Sequence, residues 1–211
     1  MICISAGNIG FEKLIEIVNQ YDLVELRLDL LKLSGDEYSE LLKYSQKLII
    51  TCRIDNDNRD YAVQSYEKAA ESGVRFIDID LGEVHNFKYL IDNIENKITG
   101  LIISHHDFDK TPDLKEIYNI ISQMEIMKPQ IYKLCFKASG IDDIIRTLMI
   151  YEKYPKNQMV AFNLGDIGTL SRILALKAGA PFMYAAYDED SKTEMSQLTH
   201  NQLRELLKVI E

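Results

Sequence analysis

A chain of 211 residues with 24 Lys and Arg against 33 Asp and Glu carries a formal charge of −9 at pH 7, which argues against a nucleic-acid backbone or an anionic membrane as partner. The acidity is spread along the chain and no low-complexity tract or Ser/Gly/Pro-rich linker divides it, so residues 1–211 read as one domain with room for a substantial core. No apolar run approaches a membrane span, and MICISAGNIG lacks the basic and apolar segments of a secretory signal, so the expected location is the cytoplasm.

In chain order the pattern predicts a strand at 2–6 and a helix at 10–20, then pairs at 23–28 and 36–46, 48–53 and 59–72, and 75–80 and 86–95. The second half repeats the alternation with pairs at 100–105 and 112–127, 131–136 and 140–154, 159–163 and 169–178, and 181–186 and 198–210. Gly73 and Gly179 sit where helices should end in a left-handed residue, and Thr111 followed by Pro112 reads as N-cap and first helical residue. The four prolines, Pro112, Pro129, Pro155 and Pro181, all fall at predicted boundaries, where a missing N–H does no harm. Eight βα units in this length predict a (β/α)8 barrel with its reactive groups at the C-terminal ends of the strands. An open doubly wound sheet is the alternative, but no G-x-G-x-x-G turn or P-loop accompanies it.

The strands share a peculiarity. Polar side chains recur at alternate positions: Ser5 in ICIS, Glu25, Arg27 and Asp29 in VELRLD, Thr51 and Arg53 in IITCR, and Asp78 and Asp80 in FIDIDL. The pattern continues with Ser104 and His106 in IISHH, Lys133 and Cys135 in IYKLCFK, and Asn163 in VAFNL. Period-two alternation puts each polar set on one face and Val24, Leu26, Ile77, Ile79, Leu134 and Phe136 on the other. With helices covering the apolar face, the polar sets point into a common interior, where charge is costly unless paired or used. Cys3, Cys52 and Cys135 fall inside strands without metal-ligand spacing and read as reduced thiols.

Lys133 is flanked by apolar residues of the opposite face, which places it below the rim. Desolvation there lowers the pKa of an amine, the condition for attack on a carbonyl; the alternative is a structural lysine paired with an interior carboxylate. Lys137 shares its parity but ends the strand and stays solvated. His106, at the end of the fifth strand, suits proton transfer near neutral pH, whereas His105 should face the helices and His85 and His200 carry no assigned role. No H-x-x-x-H pair is present, so nothing supports a metal site.

E-L-R-L-D at 25–29, T-C-R at 51–53, S-H-H-D-F-D-K-T-P at 104–112, Y-K-L at 132–134 and G-D-I-G-T-L-S-R at 165–172 follow one another over essentially the whole chain. Together they resemble the successive motifs of type I 3-dehydroquinate dehydratase, the Schiff-base lyase of the shikimate pathway. The resemblance implies a (β/α)8 barrel, commonly a homodimer, that takes the small molecule 3-dehydroquinate and needs neither metal nor organic cofactor. It implies Lys133 as the Schiff-base lysine and His106 as the general acid/base. Glu25, Arg27 and Arg53 match positions that hold ring hydroxyls, with Ser5 on the same interior face, and Arg172, expected at the rim, matches the arginine that grips the substrate carboxylate.

Two places depart from that pattern. The loop after the eighth strand reads T-E-M-S-Q where the family has Ser/Thr-A-P-G-Gln; Thr193 and Gln197 keep the outer pair for substrate binding, but Glu194, Met195 and Ser196 replace the middle. Four residues after Arg53, where the family orients its catalytic histidine with a glutamate, stands the shorter Asp57, with Asp78 or Asp80 as alternatives. Another class I Schiff-base enzyme of the aldolase type, or a barrel that binds without catalysis, are the competing readings. The first lacks a second Gly-rich phosphate loop, and the joint presence of Lys133, His106 and Arg172 opposes the second.

Overall fold

In the computed structural model, which describes residues 1–55, 57–94 and 98–209, strands and helices alternate along the chain. The strands are β1 (Ile2–Ala6), β2 (Val24–Arg27), β3 (Leu48–Thr51), β4 (Phe76–Asp80), β5 (Gly100–Asp107), β6 (Ile131–Lys137), β7 (Met159–Leu164) and β8 (Met183–Ala186). The helices are α1 (Phe11–Gln20), α2 (Gly35–Leu41), α3 (Arg59–Glu71), α4 (Lys88–Ile94), α5 (Leu114–Glu125), α6 (Ile141–Leu148), α7 (Ile150–Lys153), α8 (Thr169–Ala178) and α9 (His200–Val209). Short helices of tighter winding follow α2 over Leu42–Lys47, kinked at Tyr44, and follow β4 at Leu81–Glu83. The expected helix ends at 95 and 210 lie outside the described residues.

Every registered strand pair is parallel and the order is β7-β6-β5-β4-β3-β2-β1-β8, so β8 comes round to β1 and the sheet curls into a (β/α)8 barrel, as the alternation predicts. One face of the strands packs under the helices: Ile4, Val24, Leu26, Ile50, Ile77, Ile103 and Leu134 are all fully buried. Register then aligns the other face around the interior, with Arg27 beside Thr51, Thr51 beside Asp78, Asp80 beside Ser104, and Ser104 beside Lys133. His105 packs edge-on to Phe136 in the outer layer, and all three cysteines are free and buried.

Local chemistry sets the element ends. Ser34 and Glu37 form a reciprocal capping box at α2, and Gly73 takes φ +67°, the left-handed residue that releases α3 toward β4. Gly179 ends α8 at φ +121°. The first turn of α5 differs from the sequence reading: Asp113, not Thr111, is its N-cap, its carboxylate accepting from the Glu116 N–H, while the Thr111 hydroxyl donates to the Lys137 carbonyl at 2.7 Å. The predicted helix 140–154 is broken at Met149 into α6 and α7.

Asn163 also departs from its expected place. Its amide nitrogen donates to Thr111 Oγ1 and, on α6, to Thr147 Oγ1, each at 3.0 Å, so it is buried in the outer layer and not in the barrel mouth. The inward residues of β7 are the apolar Phe162 and Leu164. Among the described residues no helix is long and apolar enough to cross a membrane.

Candidate active site

At the C-terminal ends of the strands a cleft of about 150 Å³ gathers Ser5, Glu25, Arg27, Thr51, Arg53, His106, Lys133, Arg172, Thr193 and Gln197. These residues come from five strands, the loop after β3, α8 and the loop after β8, which is why no short stretch of sequence contains the site. A larger groove of about 450 Å³ lies between α4 and the end of α5, lined by His85, Lys88 and Met127 among others, and holds none of them.

Lys133 lies at the floor, 6% exposed. Its Nζ donates to Asp78 Oδ2 at 2.7 Å and to Glu25 Oε1 at 3.2 Å, and sits 4.2 Å from the centre of the Tyr184 ring. Burial by itself would lower the amine's pKa, as the sequence suggests. The two carboxylates outweigh burial and raise it, so the free site holds an ammonium. Glu25 shows the reciprocal effect: burial raises its pKa, but Lys133, Arg27 and the Ser5 hydroxyl together bring it down to about 2. Thr51 Oγ1 donates to the same carboxylate at 3.0 Å, so each of its oxygens is held.

His106 stands on the neighbouring strand with its side chain almost wholly covered. Nδ1 lies 3.2 Å from Asp80 Oδ2, and the ring stacks on Phe108 at an interplanar angle of 16°. Burial pushes its pKa down to about 4; the bond to Asp80 opposes that shift, and the charges of Arg53 and Lys133 add to it. The imidazole is therefore neutral at pH 7 and able to take a proton. Asp80 is held below the ordinary carboxylate range, against its own burial, by His106 and the Gly82 N–H, and it also receives Arg53 at 3.5 Å.

The carboxylate beside His106 is thus Asp80, and Asp57 does not reach it. Asp55 Oδ1 accepts from the Asp57 and Asn58 N–H groups at 2.9 and 3.0 Å, a tight polar turn that leaves Asp57 exposed on the surface. Arg27 is fixed by a two-point pair with Asp29, Nε to Oδ1 at 3.0 Å and Nη2 to Oδ2 at 2.6 Å. Lys137, at the exposed end of β6, is absent from the cleft lining.

Arg172, expected at a rim, is 2% exposed. Its guanidinium lies 4.3 Å over the Phe162 ring and Nη2 pairs with Glu194 Oε2 at 3.1 Å. Glu194 belongs to the loop after β8, whose outer pair is joined by Thr193 Oγ1 to Gln197 Oε1 at 3.1 Å, with Thr193 Oγ1 also 3.4 Å from Ser5 Oγ. The sequence reading misses Tyr184, Phe162 and Phe108, aromatic residues without the polar alternation that marks the other strands. Parity within FMYAA was the signal available for Tyr184.

A profile of the family described as Type I 3-dehydroquinase matches residues 8–211. The chain is 31% identical over 225 residues to 3-dehydroquinate dehydratase of Methanocaldococcus jannaschii, covering 100% of this chain and 99% of that one. It is equally 31% identical over 198 residues to the Dehalococcoides mccartyi (strain BAV1) protein of the same name, covering 88% and 85%. Among solved structures, the type I enzyme of Clostridium difficile superposes with a TM-score of 0.83 at 20% identity over 99% of this chain and 91% of that one. The Aquifex aeolicus protein does so at 0.78 and 22% over 100% and 99%. At such identities the superpositions speak for the fold.

Proposed function

The chain belongs to the type I 3-dehydroquinase family and is a hydro-lyase acting on 3-dehydroquinate; from that premise we propose that Lys133 carries the reaction as a Schiff base and His106 moves the protons. The observation that supports this most is the placement of Lys133 Nζ between Asp78 and Glu25, in one cleft with a neutral imidazole. The ammonium first gives up a proton, for which Asp78, in contact at 2.7 Å, is the nearest acceptor. The amine then adds to the C3 ketone, and loss of water leaves an iminium. That product is again a cation in the same place, so the carboxylates that hold the ammonium also stabilise the intermediate.

The iminium draws electrons from the C2–H bond, and His106 takes that proton. The C1 hydroxyl leaves as water with a proton returned by the same imidazole, and hydrolysis of the conjugated imine frees 3-dehydroshikimate and the amine. Asp80 on Nδ1 fixes the tautomer that keeps Nε2 free to accept. Ser5, Glu25, Arg27, Arg53, Thr193 and Gln197 surround the ring hydroxyls, and Arg172 meets the substrate carboxylate as a charge-assisted pair. The resemblance further supports a homodimer in the cytoplasm and one catalytic domain over 1–211. Purified protein should raise the ultraviolet absorbance of a conjugated enone when given 3-dehydroquinate. Lys133→Ala should not; a variant that keeps the parent rate would remove the lysine from the mechanism.

A further inference from the structure

The loop after β8 carries its own carboxylate to the arginine that the site needs for a ligand. Arg172 Nη2 is taken by Glu194 Oε2 at 3.1 Å, while Arg172 Nε is buried and has no hydrogen-bond partner among the described residues. A guanidinium offers a carboxylate two bidentate faces, Nε with Nη2 and Nη1 with Nη2, and Nη2 belongs to both. Each face uses a different Nη2 hydrogen, so Glu194 takes one of the two while its negative charge lies against the whole guanidinium and opposes a second carboxylate there. Glu194 is itself held in place, since its oxygens accept from the Ser196 N–H at 3.0 Å and hydroxyl at 2.7 Å. The Ser196 hydroxyl oxygen in turn accepts from the Gly165 N–H at 2.9 Å, which pins the loop to the end of β7.

We infer that Glu194 is an internal competitor for the substrate carboxylate: it occupies Arg172 when the cleft is empty, and its charge weakens the hold of Arg172 on the substrate until it gives way. The inference rests on Arg172 as the carboxylate-binding residue and goes beyond it, by assigning a role to a loop residue that the catalytic chemistry does not use. Its chemistry is that of an exchange. One carboxylate replaces another on a buried cation, so Arg172 is never left unpaired, and the loop is released as substrate enters. Only acids able to make the two-point pair should displace Glu194, whereas a ligand of similar shape without that charge has nothing to offer Arg172 in return.

Competition of this kind lowers apparent affinity by the fraction of molecules in which Arg172 is free. If that fraction is about 10%, removing the competitor improves affinity about tenfold. The test is the KM and kcat for 3-dehydroquinate in the parent, Glu194→Gln, Glu194→Ala and Arg172→Gln. Glu194→Gln keeps the shape and an acceptor for Ser196 but gives up the charge, so KM should fall about tenfold with a smaller change in kcat. Glu194→Ala should also lower KM, and circular dichroism will show whether either variant has lost its fold. Arg172→Gln should raise KM. If Arg172→Gln raises KM while both folded Glu194 variants leave it unchanged or raise it, the competitor role is wrong and the carboxylate role of Arg172 stands. If Arg172→Gln leaves KM unchanged, the carboxylate reading itself fails, and the competitor falls with it.

Discussion

Taking a lysine out of water costs several kcal/mol, and at Lys133 that cost meets two carboxylates near 3 Å, each worth about 5 kcal/mol at an effective dielectric of 20. The pair of them decides the charge state. Sequence parity places Lys133 inside the barrel but leaves its charge open, because Glu25 lies 108 residues away and meets the amine only once the barrel closes. The same holds for His106. Its position at a strand end is legible, whereas its partner depends on how the polar run after β3 folds, and Asp55 curls that run away from the mouth. Asp57→Ala should therefore leave turnover unchanged, while Asp80→Ala should forfeit a good part of the ~10²- to 10⁴-fold typical of general acid–base catalysis. Steady-state kcat for the two variants checks this, and loss in Asp57→Ala with none in Asp80→Ala would reverse the assignment. His106→Ala should fall by the full range, yet still form the covalent adduct.

At the scale of the element, period-two alternation defines two faces of a strand without saying which is inside. For β1 to β6 the polar face is the inner one. In β7 the sense inverts, and only lateral pairing shows it: Cys135, on the inner face of β6, lies beside Phe162, so Phe162 is inside and Asn163 outside. Asn163 then serves as a tie between Thr111 before α5 and Thr147 on α6. Asn163→Ala leaves two buried hydroxyls short of a partner and should cost about 1–3 kcal/mol in urea unfolding with KM unchanged. A raised KM at unchanged stability would put the residue back in the mouth. The Thr111–Pro112 reading fails for a related reason, since the side chain that looks like a cap is engaged by the neighbouring strand's carbonyl and the next Asp takes over.

For the molecule as a whole, the buried charges of the site tie stability to pH. His106 binds its proton at about 4 in the fold against an ordinary 6.5, so between those values the unfolded chain takes up a proton that the native state refuses. Stability should fall as pH drops from about 6.5 to about 4. Glu25, near 2 in the fold against 4.5, adds stability that is present above 4.5 and lost as pH falls toward 2. Urea midpoints across this range should slope accordingly, and His106→Gln should flatten the upper part; an unchanged slope would mean the imidazole is not held neutral. The (β/α)8 class follows from the alternation of elements, and the family match over residues 8–211 agrees with it, but the shared polar interior exists only in the assembled barrel. The mechanism turns on a covalent bond to Lys133. Borohydride added to the protein with 3-dehydroquinate should reduce the imine irreversibly, and peptide mass mapping should place the adduct on Lys133, absent in Lys133→Ala and retained in Lys137→Ala. An adduct on Lys137, or an active enzyme that forms none, would rule out Lys133 as the Schiff-base residue.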